Sequence, residues 1–499
     1  MPGRALVWTA AAGVALTLVL FARHAFPTPG TDAPSFLATA IDLRLGRGLV
    51  NPFYPQMAFA DPTGAHRSIY YPPLLPLVVA GLMPGATPTD AFLAVAFLRA
   101  VSIVLSCILL LAVARRAQPD LRGPTSALVA LALCGLGTNW LPTLGRPEAL
   151  ATLLLIVAAL GAMRLRGAAL AIFLGIVTGL VGATQPFGAV EMVAILGLGW
   201  SIQEPTRVAL GRTAAAGAVA LAVFAAVLAL SPYGLSQTLL GMARAFPHTP
   251  WTAPPGEEWW KPWLTARRST FYGPLFVLAA LCGAHLLVRV GGARARLAFA
   301  LFVLALAACL YLGSLTHHSR RNYNALLLSP LPFAVVVYWF AASRSWAAGW
   351  TRLGRAACLA CVLATAAGFL GHLAAFPWFV AHGHGLDAAR AEWRSVPLPP
   401  GARIVLMGNL WALSEDYDRM QLLSAAALGD AMRSRPVPVL ALGQRPEHRG
   451  APPLLSGFAL RHDFFNREWS PPPVLGYFLE EDYSFAVYVP VPPPAHGGP

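Results

Sequence analysis

The residues in this chain best suited to chemistry are one carboxylate and a scattered set of arginines. Asp32 stands in Thr31-Asp32-Ala33-Pro34-Ser35, shortly after an N-terminal apolar stretch. A carboxylate held near lipid is poorly solvated and tends to a raised pKa, which suits a general base that takes a hydroxyl proton. Asp followed two residues later by Pro is also a common helix start, so the residues alone leave a base and an N-cap both open. Arg99 lies inside an apolar run, where an ionised side chain is costly and usually faces a cavity. Arg146, in Gly145-Arg146-Pro147-Glu148, and the pair Arg320-Arg321, after His317-His318, fall at short turns. The guanidinium fork matches phosphate oxygens, so together these side chains could hold a lipid-linked phosphate. Taken singly, each could equally be a snorkelling or salt-bridged residue.

Other candidates carry less. Glu191 is an acidic residue within an apolar span, with Gln185-Pro186 ahead of it, and reads either as a proton site or as a packed, hydrogen-bonded carboxyl. His382 and His384 could chelate a metal but have no further ligands at fitting spacing. The six cysteines (Cys107, Cys134, Cys282, Cys309, Cys358, Cys361) all lie in hydrophobic segments, so no disulfide framework is expected. The Cys358-x-x-Cys361 spacing falls in an apolar helix, where the two read as small packing residues.

What must position these groups is a membrane scaffold. With 499 residues, 57% hydrophobic and only 12% charged, the chain is far too apolar for a soluble globular protein. Its formal charge of +14 rests almost wholly on arginines, Lys261 being the one lysine, and these lie between apolar runs. No basic domain or basic-aromatic stripe is present, so nucleic acid is not an expected partner. Apolar stretches suited to crossing a bilayer fall at 5–22, 91–114, 124–142, 148–163, 168–184, 186–203, 213–231, 271–289, 297–314, 323–342 and 356–375, about eleven spans. The first resembles a signal peptide but has no convincing cleavage site, and is expected to stay as an anchor.

Threading these spans from an inside N terminus collects Arg4, Arg115, Arg116, Arg122, Arg164, Arg166, Arg207, Arg212, Arg289, Arg294, Arg296, Arg344, Arg352 and Arg355 on one side. Only Asp120 and Glu204 oppose them. This bias predicts a cytoplasmic N terminus and places Asp32 and the C-terminal region outside, in a plasma or inner membrane. Residues 72–84 are apolar but bounded by prolines and too short to cross, so they read as a juxtamembrane or re-entrant helix. The first outer loop then spans 23–90, with Phe36 to Gly46 as an interfacial helix. A second outer loop, 232–270, carries Trp251, Trp259, Trp260 and Trp263, read as an aromatic belt. The membrane domain covers 1–375. From 376 to 499 charges are frequent and apolar runs short. Helices are expected there at 387–396 and 415–434, strands at 403–407, 437–442 and 483–489, then a Pro/Gly tail. The predicted fold is thus an all-α polytopic membrane protein with a small extracytoplasmic C-terminal α/β domain.

The order of Asp32 after the first span, the turn Gly46-Arg47-Gly48, the run Tyr70-Tyr71-Pro72-Pro73-Leu74, Arg99 and Arg146-Pro147-Glu148-Ala149-Leu150 resembles a known pattern. It is similar to that of GT-C type glycosyltransferases, near the protein O-mannosyltransferase and aminoarabinose transferase branch. The resemblance covers roughly residues 1–160, and weakly Arg320-Arg321-Asn322-Tyr323 and the C-terminal domain. It implies an outer-face site, a polyprenyl-phosphate-linked sugar as donor, and Asp32 as the base. Arg99, Arg146, Arg320 and Arg321 would bind donor phosphate, and the product would be inverted. Members often have Asp-Glu where this chain has Asp32-Ala33. That leaves Asp42, Asp61 or Glu148, with Tyr70 and Tyr71, to position the acceptor. It also weakens the case for a metal, since one carboxylate makes a poor Mg²⁺ or Mn²⁺ site. No other cofactor is implied, and no Gly-rich nucleotide fingerprint is present. The acceptor, a glycan, lipid or protein hydroxyl, is not written in the residues. The rival readings are a transporter or lipid flippase, against which no internal repeat is evident, and a non-catalytic assembly or polymer-binding protein.

Overall fold

The computed structural model describes residues 2–28, 33–49, 72–117, 124–140, 145–185, 204–231, 348–422, 437–443 and 452–491 except 477 and 480. It also describes ten positions between 188 and 239. The described part is mostly helical. Helices α1 (Pro2–Arg23), α2 (Ala33–Arg44), α3 (Leu74–Leu82), α4 (Pro88–Ala117), α5 (Pro124–Trp140), α6 (Glu148–Arg164), α7 (Gly167–Gly182) and α8 (Thr206–Ala229) are followed by α9 (Ala348–His382) and α10 (Leu386–Ser395).

Among the described residues three helices are long and apolar enough to cross a membrane: Gly3–Arg23 in α1, Pro88–Ala112 in α4, and α8. They support a membrane protein. Helices also occupy the expected positions at 124–142, 148–163 and 168–184, while 271–289, 297–314, 323–342 and most of 186–203 lie outside the described residues, as does the loop with the four tryptophans. The apolar segment at 72–84 forms only the nine-residue α3, about 14 Å long and too short to cross.

Local chemistry explains the boundary that matters most. Thr87 and Asp90 close a reciprocal cap ahead of α4. Thr87 donates from its backbone N–H (3.0 Å) and its hydroxyl (2.7 Å) to the Asp90 carboxylate, and Asp90 N–H returns a bond to Thr87 Oγ1 at 3.2 Å. With Pro88 at the first helical position, this is a capping box that starts the helix earlier than the apolar pattern alone suggests. Helix α1 packs against α4 and α5, α4 against α6, α5 against α9, and α7 against α8.

The α7–α8 contact is very close. A Cβ on Gly175 or Gly179 would sit 2.7 Å from Ala216 O and 2.6 Å from Ala220 O. Small residues at this spacing let two backbones approach where there is no water to drive the helices together.

The C-terminal region builds a five-stranded sheet of order β2-β1-β3-β5-β4, from β1 (Ile404–Leu406), β2 (Met420–Leu422), β3 (Val439–Gly443), β4 (Phe458–Phe464) and β5 (Phe485–Pro490). Strands β2, β1 and β3 run parallel, whereas β5 pairs antiparallel with β3 and β4. The expected strands at 403–407, 437–442 and 483–489 are present, and the expected helix at 387–396 is α10. The helix expected over 415–434 is not what its described part forms. Tyr417–Arg419 is a single 3-10 turn and Met420–Leu422 is β2, because pairing with β1 outweighs the local helical pattern.

This domain is packed onto the helices. The Phe478 ring lies on Gly371 of α9, and the Tyr483 hydroxyl donates to Ala25 O at 3.1 Å. Trp411, in the 3-10 helix Gly408–Leu413, meets Phe92 of α4 edge to face at 5.7 Å.

Candidate functional site

One of the arginines singled out by sequence grips a buried carboxylate whose charge also reaches a second. Arg99, twelfth residue of α4, is 1% exposed, and so is Glu148 in the first turn of α6. Arg146 holds Glu148 with both ends of its fork, Nη2 to Oε1 at 3.1 Å and Nε to Oε2 at 3.2 Å. The Glu148 charge also acts on the Arg99 guanidinium. The local sequence dictates this arrangement. Pro147 starts α6 and puts Glu148 where a carboxylate favours a helix N-terminus. Gly145, at φ +86°, turns the chain so that Arg146 points back to Glu148. Arg99 begins a polar face on α4: Ser102 and Ser106, three and seven residues on, are both buried, their hydroxyls donating to Leu98 O and Ser102 O.

The Gly145 turn rests on the start of α2. A Cβ at Gly145 would lie 2.8 Å from both Ala33 Cβ and Leu37 Cδ1. Asp32 is the residue bonded to Ala33 in the chain and lies outside the described residues, as do Tyr70, Tyr71, Asp61, Glu191, Arg320 and Arg321.

Helix α2 is present where an interfacial helix is expected, and it is enclosed by protein. Phe36, Leu37, Ala38, Thr39, Ala40, Ile41 and Asp42 are all buried, because α3, α4 and the Gly408–Leu413 turn enclose it. The end of α2 explains the Gly46-Arg47-Gly48 run. Gly46 N–H bonds to Leu43 O (3.1 Å) and Arg47 N–H to Asp42 O (2.9 Å), with Gly46 at φ +76°, a Schellman stop that needs glycine. The stop brings Arg47 Nη1 to 3.1 Å from Asp42 Oδ1. Asp42, a candidate for acceptor positioning, is therefore a buried, ion-paired carboxylate, 2% exposed.

Sequence reasoning missed what the C-terminal domain adds here. Tyr417 is buried close enough to Asp42, Arg47 and Arg390 to feel their charges. Burial first, then the Asp42 charge, pushes its phenol well up. Arg390 of α10 is ion-paired with Glu415, and burial pulls its guanidinium down from the usual range. The available signal was the stretch Ser414-Glu415-Asp416-Tyr417-Asp418-Arg419, which looks like an ordinary solvated turn.

The two histidines considered as a metal pair are engaged otherwise. His382 stacks on Trp378 at 4.7 Å. His384 Nδ1 lies 3.0 Å from Ser484 Oγ, and its backbone N–H donates to Asp482 Oδ2 at 3.0 Å. Asp482 also accepts from Asn466 Nδ2 and Ser484 N–H. With Ser484 and Asp482 both fully buried, this network ties the end of α9 to β5. Among the described residues no group of three or more metal-ligating side chains is assembled.

No protein-family model matches the chain, and no characterised protein matches it in sequence.

Proposed function

We propose that the chain is an integral membrane glycosyltransferase of the GT-C type, moving a sugar from a polyprenyl-phosphate donor to an acceptor hydroxyl on the outer face of the plasma or inner membrane. The observation that carries the proposal is the ion pair of Arg146 with buried Glu148, whose charge also reaches buried Arg99, in a turn packed against the residue that follows Asp32 in the chain. A buried guanidinium inside an apolar helix, with a second at a neighbouring turn, suits an anionic group that stays in the membrane, as a prenyl phosphate does. In this reading Glu148 holds Arg146 in place and Asp42 helps fix the loop.

The reaction follows from those roles. The Asp32 carboxylate takes the acceptor hydroxyl proton, and the oxygen bonds to the anomeric carbon from the face opposite the phosphate. The bond from that carbon to the phosphate oxygen breaks with its electron pair, leaving polyprenyl phosphate and an inverted glycoside. Arginines meet the charge that grows on the phosphate, with Arg320 and Arg321 as further members of the set. The arginine bias between apolar segments supports a cytoplasmic N terminus and an outer C-terminal domain.

A buried arginine well inside a span also suits a transporter, so the test separates the two. Purified protein is incubated with a panel of polyprenyl-phosphate sugars. Release of polyprenyl phosphate is expected from at least one, whereas a folded protein that consumes none favours transport. Labelling of a cysteine at position 32 from the outside only checks the sidedness independently.

A further inference from the structure

Strand order and parallel pairing give the C-terminal domain a feature unused by the site above. In the order β2-β1-β3-β5-β4 the chain passes from β1 to β2 on one side and from β3 to β4, beyond β5, on the other, so the carboxyl ends of neighbouring β1 and β3 lead in opposite directions. In open sheets such a switch point leaves a crevice where ligands bind.

At that edge stands Asn409, 5% exposed, with neither its Oδ1 nor its Nδ2 hydrogen-bonded. Buried amides are almost always paired, as Asn466 is in the same domain, where Nδ2 donates to His382 O and Asp482 Oδ2. The Asn409 amide lies flat against Gly443, the last residue of β3, with both polar atoms 3.1 Å from where a Cβ would stand. Only glycine leaves the amide that room. Gly443 N–H donates to a thioether, Met407 Sδ at 3.0 Å, a weak acceptor. Two residues along, the indole Nε1 of Trp411, 0% exposed, is also without an acceptor. Polar capacity left unused in one small buried region lowers stability unless a ligand takes it up.

We propose that the carboxyl edge of β1 and β3 binds a neutral, hydroxyl-rich sugar ring of the acceptor, read by the Asn409 amide over Gly443. An amide presents a donor and an acceptor side by side and carries no charge, which matches two adjacent hydroxyls, each able to give and to take a hydrogen bond. Assignment to the acceptor rests on the glycosyl-transfer reading. The same 3-10 turn packs on α2 and on Phe92 of α4, so the edge adjoins the first loop, while the donor phosphate would be held at Arg99 and Arg146, on α4 and at the turn before α6. The amide is covered, so the ring displaces that cover, and binding is expected to slow hydrogen exchange over 408–413.

The test uses full-length protein in detergent, with mannotriose, galactotriose and arabinotriose as probes and ligand-observed NMR as the readout. At least one trisaccharide is expected to bind the wild type. Asn409→Leu should bind it at least about tenfold more weakly, and so should Gly443→Ala, whose Cβ pushes the amide aside. Asn409→Leu should also melt at the same temperature or higher, because it removes two unsatisfied polar atoms while keeping the volume. Binding by none of the three probes overturns the proposal. So does unchanged binding by Asn409→Leu, or a clear loss of its thermal stability, which would mark the amide as a structural or water-bridged group. The two proposals fail separately. Donor turnover with no trisaccharide bound defeats this site alone, and trisaccharide binding lost in Asn409→Leu without donor turnover keeps the sugar site and removes its acceptor role.

Discussion

Replacing Glu148 by Gln removes the carboxylate that Arg146 grips and whose charge reaches Arg99, and keeps its size. Both Glu148 and Arg99 are 1% exposed, and Arg146 grips the carboxylate at 3.1 and 3.2 Å. Taking one partner from a buried ion pair costs about 3–5 kcal/mol, because the charges left behind stay desolvated. A unit charge pair at about 4 Å and an effective dielectric near 20 gives about 4 kcal/mol, the same range. For a cooperative body of about 150–250 residues, each kcal/mol moves Tm by about 2–4 °C, so Glu148→Gln should melt roughly 6–20 °C lower. Tryptophan fluorescence during heating of purified protein in detergent reads this directly. Arg146→Met should cost less on the Glu148→Gln background than on the wild type, since the two residues share one contact. A Tm within about 2 °C of wild type, or strictly additive losses, would refute the shared buried carboxylate.

Other substitutions probe neighbouring parts of the scaffold. Gly145→Ala should cost about 1–3 kcal/mol and lower donor consumption, because a positive φ and a Cβ 2.8 Å from Ala33 and Leu37 push the Arg146 turn off α2; a fully active, equally stable variant would contradict that packing. Gly179→Ala places a Cβ 2.6 Å from Ala220 O and should destabilise the α7–α8 pair by about 1–3 kcal/mol. Gly217→Ala, with open space around it, should be neutral or slightly stabilising in the same melt, and equal effects of the two would sink the close-packing account. The C-terminal domain should also fail at alkaline pH. Burial, then the Asp463 charge, pushes the Tyr488 phenol up to about 12, and burial raises Tyr417 and Tyr483 too. A folded pKa above the unfolded value of about 10 means this stability is complete below pH 10 and is lost as pH rises toward 12. Near-ultraviolet phenolate absorbance should therefore rise together with unfolding, and a non-cooperative titration centred on pH 10 would contradict it.

Single residues decided what could be read without coordinates. Arg99 and Glu148 stood out because ionisable side chains in or beside apolar runs need partners; the structure pairs Glu148 with Arg146 and lets its charge reach Arg99. The turn at Gly46-Arg47-Gly48 was visible as glycines, but its work as a helix stop that returns Arg47 to Asp42 was not. Burial of α2 could not be read locally, since the turn that covers it, Gly408–Leu413, is far along the chain. Strand β4 was overlooked because Arg461, His462 and Asp463 interrupt its apolar character. It forms at the sheet edge through backbone bonds to β5, which tolerate such side chains. Tyr417 was hidden for the converse reason, as an aromatic in an acidic stretch whose burial depends on α2 and α10.

The most direct test of glycosyl transfer is the rate at which purified Asp32→Asn protein releases polyprenyl phosphate from a donor that the wild type consumes. Loss of a general base predicts a fall of at least about two orders of magnitude with the melting temperature unchanged. A folded Asp32→Asn protein that turns over at the wild-type rate would contradict the central claim.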